Sequence, residues 1–420
     1  MRVLMTSWAW PSHYYPMVPL GWALLAAGHE VLVASQPALA GTIAASGLPG
    51  TSVGDDIDFT EIVTREIGDH LDIKETMRNC FGVEVDMAEV LKHGVDATLP
   101  PELRARWDKI RHPLILRALS PFVQLAEAMV AELLSLINNY KPDLIIYDPT
   151  TYAAPIAAAI HNIPTARQLW GVDYTYHIRS YETEALTPLY HHHNLQPENV
   201  NTFGTLTLDP CPTQAQVPST YPRHRTRYIP YNGPATLPPW LLTPPTINRI
   251  CLTWGTSSTR LGQKLGFAGN LIDMLNDIAE DLDVEVVAAL SEIDNSLLSG
   301  EPSPRVRVVE RLALHLLLPT CDAIIHQGGM GTTMTAIITN TPQLIIPQLR
   351  DQILNARQLT HTGAALHLDR DTTNPTTLHH ALHQLLTNPA HRHHATALCR
   401  ELHTRPPLTH TIHTLTQLTT

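Results

Sequence analysis

The sequence predicts an α/β chain made of two similar halves, each a parallel sheet covered by helices. Three observations carry this. The chain opens as strand, helix, strand: Val3-Leu4-Met5, a helix over Met17 to Ala27, then Val31-Leu32-Val33-Ala34. The pattern restarts at Arg249-Ile250-Cys251-Leu252-Thr253-Trp254, followed by a helix over Leu265 to Glu280 and a strand over Val284 to Leu290. Between the two lie residues 209–248, which hold ten prolines and read as a connector. Short apolar runs alternating with apolar residues at helical spacing are the mark of βαβ units, whose parallel strands are buried on both faces. A length of 420 residues also exceeds one ordinary core and suits two.

The elements follow in order. Gly28-His29 stops the first helix, and Gly47 stops a second over Ala38 to Ser46. Residues 55–118 mix helical pieces with charge and read as an insertion on one face of the sheet. Phe122 to Asn138 has the spacing of an amphipathic helix. Pro142 to Asp148 is a strand with a polar exit, and Tyr152 to His161 is a helix. In the second half Val306 to Val309 and Leu344 to Pro347 are further strands. The expected division is 1–220, a Pro-rich linker at 221–247, 248–400, and a last segment at 401–420.

Composition narrows the function. Hydrophobic residues make up 44%, enough for full cores. Net charge is −11 and no basic block occurs, which argues against a nucleic-acid partner. The five cysteines (Cys80, Cys211, Cys251, Cys321, Cys399) are scattered with no Cys-x-x-Cys, which suits free thiols in a reducing cytoplasm. The first residues do not read as a signal peptide, and no long uninterrupted apolar run suggests a membrane span. Lysine is scarce and histidine numerous, 24 in all, so many histidines are expected to reflect composition bias and carry no chemistry. The nine in the tail from Thr376, with His379 and His383 at helical spacing, read as a solvated face, not a metal site.

The most informative stretch is His326-Gln327-Gly328-Gly329-Met330-Gly331-Thr332. It follows the strand Cys321 to Ile325 and precedes a helix over Thr333 to Ile338. Glycines let the backbone approach an anion, and the free N–H groups and positive dipole end of the helix then hold it. No lysine stands in the turn, so this is not a P-loop, and the dinucleotide-binding pattern is incomplete. The plain alternative is a tight turn. Ligands in such sheets bind at the carboxyl ends of strands. His13, Asp148, Gly255-Thr256 and the His326 loop all fall there.

Taken together, the chain resembles the inverting family-1 glycosyltransferases of the GT-B fold, nearest to bacterial enzymes that attach deoxysugars to polyketide natural products of macrolide, enediyne and anthracycline type. The residues that carry the resemblance are Met1-Arg2-Val3-Leu4, Ser12-His13, Pro16 to Leu20, Ala26 to Val31, Lys141 to Ile146, Ala153 to Ala157, Tyr231 to Pro234, Leu252 to Ser257, Leu317 to Cys321, the His326 loop and Pro347-Gln348 before Asp351-Gln352. Residues 56–118 and 172–205 match least, and in this family they face the acceptor.

The resemblance implies two facing Rossmann-like domains with the site in the cleft between them, an N-terminal domain for the acceptor and a C-terminal one for the nucleotide sugar. It implies that the last helix returns to the first domain. His13 becomes the base for the acceptor hydroxyl, with Asp148 behind it, as in a Ser-His-Asp triad. Asp148 could otherwise cap a turn. Gly255, Thr256, Ser257, Leu312, His326, Gly328, Gly329, Met330, Gly331 and Thr332 would hold the nucleotide and its diphosphate. Asp351 and Gln352 would hold sugar hydroxyls, a helix cap being the other reading. Preorganised donors can replace a metal, and no Asp-x-Asp pair stands in the cleft segments, so no metal or other cofactor is expected. Arg311 and Ala313 depart from the family's base-binding pattern, which puts stacking on the base in question. The implied substrates are a dTDP-sugar, or a UDP-sugar, and a hydrophobic aglycone held near Trp170, Tyr174, Tyr176 and His177. A helper protein on residues 55–80 and a homodimer are possible partners. Rival readings are a sugar-nucleotide epimerase of the same architecture and a catalytically silent ligand-binding homologue.

Overall fold

The computed structural model describes residues 1–68, 73–81, 86, 89, 99–255, 266–290 and 302–419. It holds two all-parallel sheets. Seven strands form the first: β1 (Arg2–Thr6), β2 (Glu30–Ser35), β3 (Gly50–Ser52), β4 (Leu144–Tyr147), β5 (Thr165–Gln168), β6 (Leu206–Asp209) and β7 (Arg223–Arg225), in the order β3-β2-β1-β4-β5-β6-β7. Six form the second: β8 (Asn248–Thr253), β9 (Val284–Leu290), β10 (Val306–Glu310), β11 (Ala323–His326), β12 (Gln343–Ile345) and β13 (Ala365–His367), in the order β10-β9-β8-β11-β12-β13.

Alternation within β1 shows why the sheet is covered on both faces. Leu4 packs with Tyr147 and the helices on one side, while Val3 and Met5 pack with Val18, Leu20 and Leu24 on the other. The second sheet repeats this: Ile250 and Leu252 pack on Leu271 and Leu275, and Cys251 faces Leu317 and Leu318. In each sheet the strand order reverses direction beside the first strand, at β1/β4 and at β8/β11. Such a reversal leaves a crevice beyond the strand ends, where ligands of α/β sheets bind.

The structure alters several boundaries. The helix expected over Phe122 to Asn138 runs from Pro101 to Tyr140 and contains Pro113 and Pro121. A proline inside a helix costs about 3 kcal/mol, which is why the sequence pattern breaks there. Burial of Leu119, Leu125, Met129, Val130, Leu133 and Ile137 in the first core offsets that cost. Contrary to the expectation of no candidate span, this helix is long and apolar enough by length and composition to cross a membrane, with a window of mean hydropathy 1.4. Its apolar side chains face the sheet, so it is a core helix. The stretch 221–225, expected in the linker, supplies β7 to the first sheet, pairing Arg223 to Arg225 with Thr207 to Asp209. The short strands β3, β5, β6, β7 and β13 carry too few apolar residues to stand out in the sequence.

The halves meet behind the cleft. Val172, Cys211, Val217 and Tyr228 of the first pack against Met334, Ile337 and Leu354 of the second. The last helix, Leu408–Gln417, places Ile412 and Leu415 in the core of the first half beside Val18 and Leu24. Just before it, buried Arg405 donates to the carbonyls of Asp209, Thr226 and Cys211 and to Glu401.

Candidate active site

His13 and Asp148 follow the two central strands of the first sheet. Thr6 and Tyr147 are in register at the ends of β1 and β4, so the residues after them emerge side by side. His13 sits on a short helix, Pro11–Tyr14, started by its proline. Its Nδ1 lies 3.0 Å from Asp148 Oδ1. Asp148 is fully buried and is held by donors on both oxygens: the Thr150 N–H at 3.1 Å and hydroxyl at 2.8 Å on Oδ1, and the Thr151 hydroxyl on Oδ2. A carboxylate so placed accepts the Nδ1 proton of His13 and leaves Nε2 without one, able to accept a proton. The indole N–H of Trp8 lies 2.9 Å from Thr150 Oγ1 and 3.1 Å from His13 Nδ1. Because Nδ1 carries its own proton toward Asp148, the Trp8 proton goes to Thr150, whose hydroxyl donates onward to Asp148. The dyad is thus part of a five-residue network, of which Trp8, Thr150 and Thr151 were not singled out from the sequence. The strand-exit sequence Asp148-Pro149-Thr150-Thr151 was the available signal.

Trp170 covers the other side of His13, with ring centroids 4.2 Å apart. Its neighbour Gly171 touches the second half: a Cβ there would fall 2.1 Å from the Met330 sulfur. The glycine loop therefore abuts the wall of the histidine site. A cavity of about 380 Å³ opens beyond Trp8, lined by Trp8, Trp10, Phe59, Gln36, Asp56 and Asp58. Phe59 lies tilted against Trp8 with ring centroids 4.6 Å apart, and Trp8 meets His13 edge-on, so this cavity shares an aromatic wall with His13.

On the facing half, Gly328 adopts φ +92° and Gly329 starts the Met330–Ile338 helix, with no side chain capping its first turn. The hydroxyls of Thr333 and Thr335 turn back to the carbonyls of Gly329 and Gly331. The first N–H groups of Met330, Gly331 and Thr332 are left to face the cleft, with the positive dipole end behind them.

His326 differs from expectation. It is fully buried, its Nδ1 accepts from the Gly328 N–H at 3.1 Å, and its Nε2 donates to Gln343 Oε1 at 2.9 Å. Both nitrogens are engaged in shaping the loop, so in this structure the ring positions the glycines. Burial pushes its pKa down to about 4. The unfolded ring titrates near about 6.5, so between these values the unfolded chain binds more protons. Stability is therefore lost as pH falls from about 6.5 toward about 4, by on the order of 3 kcal/mol at the low end. Burial shifts His224, His315 and His367 the same way. Urea unfolding from pH 7 to pH 4.5 should show a steep loss for the wild type and a shallower one for His326→Gln; equal slopes would remove His326 from that account.

Gln327, passed over in the sequence, fills the gap between the two glycine loops. Its Nε2 occupies space that a Cβ on Gly255 (2.2 Å) or Gly329 (2.9 Å) would need, and its buried Oε1 has no hydrogen-bond partner among the described residues. Gly255, at φ +65°, follows β8 as expected, while Thr256 and Ser257 lie outside the described residues. Leu312 follows β10 and packs half-buried beside Trp240. Arg311 before it is in the left-handed region at φ +53°.

Asp351 and Gln352 lie in the first turn of the Arg350–His361 helix. Burial raises the Asp351 pKa, while the helix N–H groups and the electrostatic pull of His13 oppose it. Asp351 therefore lies within electrostatic reach of His13. The Gln352 side-chain oxygen Oε1 accepts from the N–H groups of Gln348 and Leu349 at 2.9 and 3.1 Å. That oxygen is the helix cap, the role the sequence offered as the alternative for Asp351. Asn355, also not anticipated, donates to the Gly328 carbonyl at 2.9 Å and ties this helix to the glycine loop. Among the described residues no three His, Cys, Asp or Glu side chains converge as a metal-holding group.

Comparison with known proteins agrees with this geometry. The family described as Erythromycin biosynthesis protein CIII-like, N-terminal domain, matches residues 22–255, and its C-terminal domain matches residues 273–418. The chain is 34% identical over 411 residues to 10-deoxymethynolide desosaminyltransferase of Streptomyces venezuelae, covering 93% of this chain and 90% of that one. It is 33% identical over 423 residues to aclacinomycin-T 2-deoxy-L-fucose transferase of Streptomyces galilaeus, covering 96% and 92%. Among solved structures it superposes on the glycosyltransferase VinC in complex with dTDP with a TM-score of 0.77, at 31% identity over 100% of this chain and 99% of that one.

Proposed function

The chain belongs to the erythromycin biosynthesis protein CIII-like glycosyltransferases of GT-B fold, and on that premise we propose that it moves a deoxysugar with inversion from a dTDP-sugar to a hydrophobic polyketide-type aglycone, without a metal. The single observation that carries the mechanism is the buried pair His13 Nδ1–Asp148 Oδ1 at 3.0 Å, aligned with the strand ends of the acceptor half. His13 Nε2 takes the proton of the acceptor hydroxyl. The acceptor oxygen attacks the anomeric carbon as its bond to the diphosphate breaks, and the imidazolium is stabilised by Asp148. The departing diphosphate gains charge, which the N–H groups of Gly329, Met330, Gly331 and Thr332 receive in place of a cation. His326 and Asn355 hold that loop. Asp351 faces the sugar, and the cavity walled by Trp8, Trp10 and Phe59 receives the apolar aglycone. A dTDP donor is preferred over UDP because VinC, so similar over its full length, holds dTDP.

Calorimetric titration of dTDP and of UDP in the presence of EDTA tests the donor assignment. Binding of dTDP in the micromolar range, tighter than UDP and unchanged by EDTA, is the expected result. Binding that appears only when magnesium is added would overturn the metal-independent site.

A further inference from the structure

The Ile73–Phe81 helix belongs by sequence to the first half, lying between β3 and β4, yet its described contacts reach the second. Lys74 Nζ lies 2.6 Å from Asp369 Oδ2 and 2.9 Å from Asp371 Oδ2. The Thr76 hydroxyl, fully buried, is 3.5 Å from a guanidinium nitrogen of Arg350. Met77, also fully buried, clusters with Leu99, Trp107 and Leu114, and Ile353 of the second half packs on that cluster. Arg350 and Ile353 flank Asp351 on one helix turn. The helix from the acceptor half thus lands on the residues around Asp351, a carboxylate within electrostatic reach of His13.

We propose that this helix is a latch over the sugar end of the cleft, and that Lys74 is the positioning residue that holds it shut on Asp369 and Asp371. The proposal rests on the reading of Asp351 as the sugar end of the site. Three features distinguish a latch from plain packing. The pair is bidentate and joins opposite halves. Burial alone would lower the Lys74 pKa, but hydrogen bonds to both aspartates outweigh it and hold it above the ordinary lysine range. The Lys74 and Asp369 side chains are only 16% and 17% exposed, so salt screens them less than a surface pair. None of the described contacts of the helix with the second half is a sheet hydrogen bond, so it can part without unfolding either sheet, as closing elements of enzymes do. Its chemical use is exclusion of water from the anomeric carbon, which otherwise competes with the acceptor and hydrolyses the donor.

Lys74→Met breaks the latch, and Asp371→Asn breaks half of it with less risk to folding. Two readouts are taken on the full chain: amide hydrogen exchange across 73–81 and 350–359 without substrate, and the ratio of donor hydrolysis to transfer with a dTDP-sugar. Exchange is expected to rise in both segments, and the ratio to rise about three- to tenfold, the scale of an ion pair of roughly 1 kcal/mol. The charge-swapped pair Lys74→Asp with Asp371→Lys should bring both readouts back toward wild type. Unchanged exchange at 350–359, or hydrolysis and transfer falling in proportion, overturns the latch. A wild-type protein that binds no dTDP defeats the functional reading instead, and the exchange experiment still decides the latch.

Discussion

His13→Ala should lower the transfer rate by roughly 10²–10⁴-fold, the usual span of a general base, and leave dTDP binding as in wild type. The separation follows from where the groups sit. His13 hangs from the strand ends of the first half, with its Nδ1 on buried Asp148 and its ring against Trp170. The nucleotide site is built from the second half, and its contact with the histidine wall is Met330 on Gly171. Removing the imidazole leaves that contact in place. Asp148→Asn tests the relay more sharply. An amide there can present its NH₂ to Nδ1, which would place the proton of His13 on Nε2 and abolish the base with little change of shape. The double variant should be no worse than His13→Ala, because the two act as one unit. Rapid-quench transfer assays beside dTDP calorimetry make the measurement; a His13→Ala protein within about tenfold of wild type in rate would remove His13 as base.

The extent to which the sequence disclosed this site depended on whether a residue's chemistry or its packing mattered. The long strands and their exits were legible because apolar runs end abruptly in His, Asp or Gly. The relay around Asp148 was not, since Trp8, Thr150 and Thr151 look like ordinary core and turn residues until β1 and β4 are set in register. His326 presents the converse case. A histidine before glycines suggests a ligand, yet complete burial and two internal partners make it part of the scaffold. Gln352 adds a further case: its side-chain oxygen Oε1 caps the helix, the role offered as the alternative reading of Asp351. The long helix with two internal prolines and the Lys74 contacts were beyond local reasoning. Tertiary packing overrides helix propensity in the first, and the second joins residues nearly three hundred apart in sequence.

The second large effect concerns binding, and two neighbouring glycines separate its causes. Gly328→Ala should weaken dTDP binding by about 10- to 100-fold, equivalent to roughly 1.4–2.8 kcal/mol, and leave the His13 geometry intact. Gly328 adopts φ +92°, where a side chain is strained, and its Cβ would lie 2.9 Å from Ile345 Cγ2 and 3.2 Å from the Gln352 carbonyl oxygen. The peptide cannot rotate away without cost, because its N–H is held by His326 and its carbonyl by Asn355. Strain of this kind costs on the order of 1–3 kcal/mol, and the loop relieves it by moving the N–H groups that face the diphosphate. Gly331 stands two residues into the site with nothing within 4 Å of its would-be Cβ. Alanine there meets no protein atom and favours the helix by roughly 1 kcal/mol, so Gly331→Ala should melt no lower than wild type. If it nevertheless loses dTDP affinity, the empty space beside Gly331 is where the diphosphate lies. If Gly331→Ala binds as wild type and only Gly328→Ala fails, the loop is needed for its shape and the phosphates sit elsewhere along the helix start.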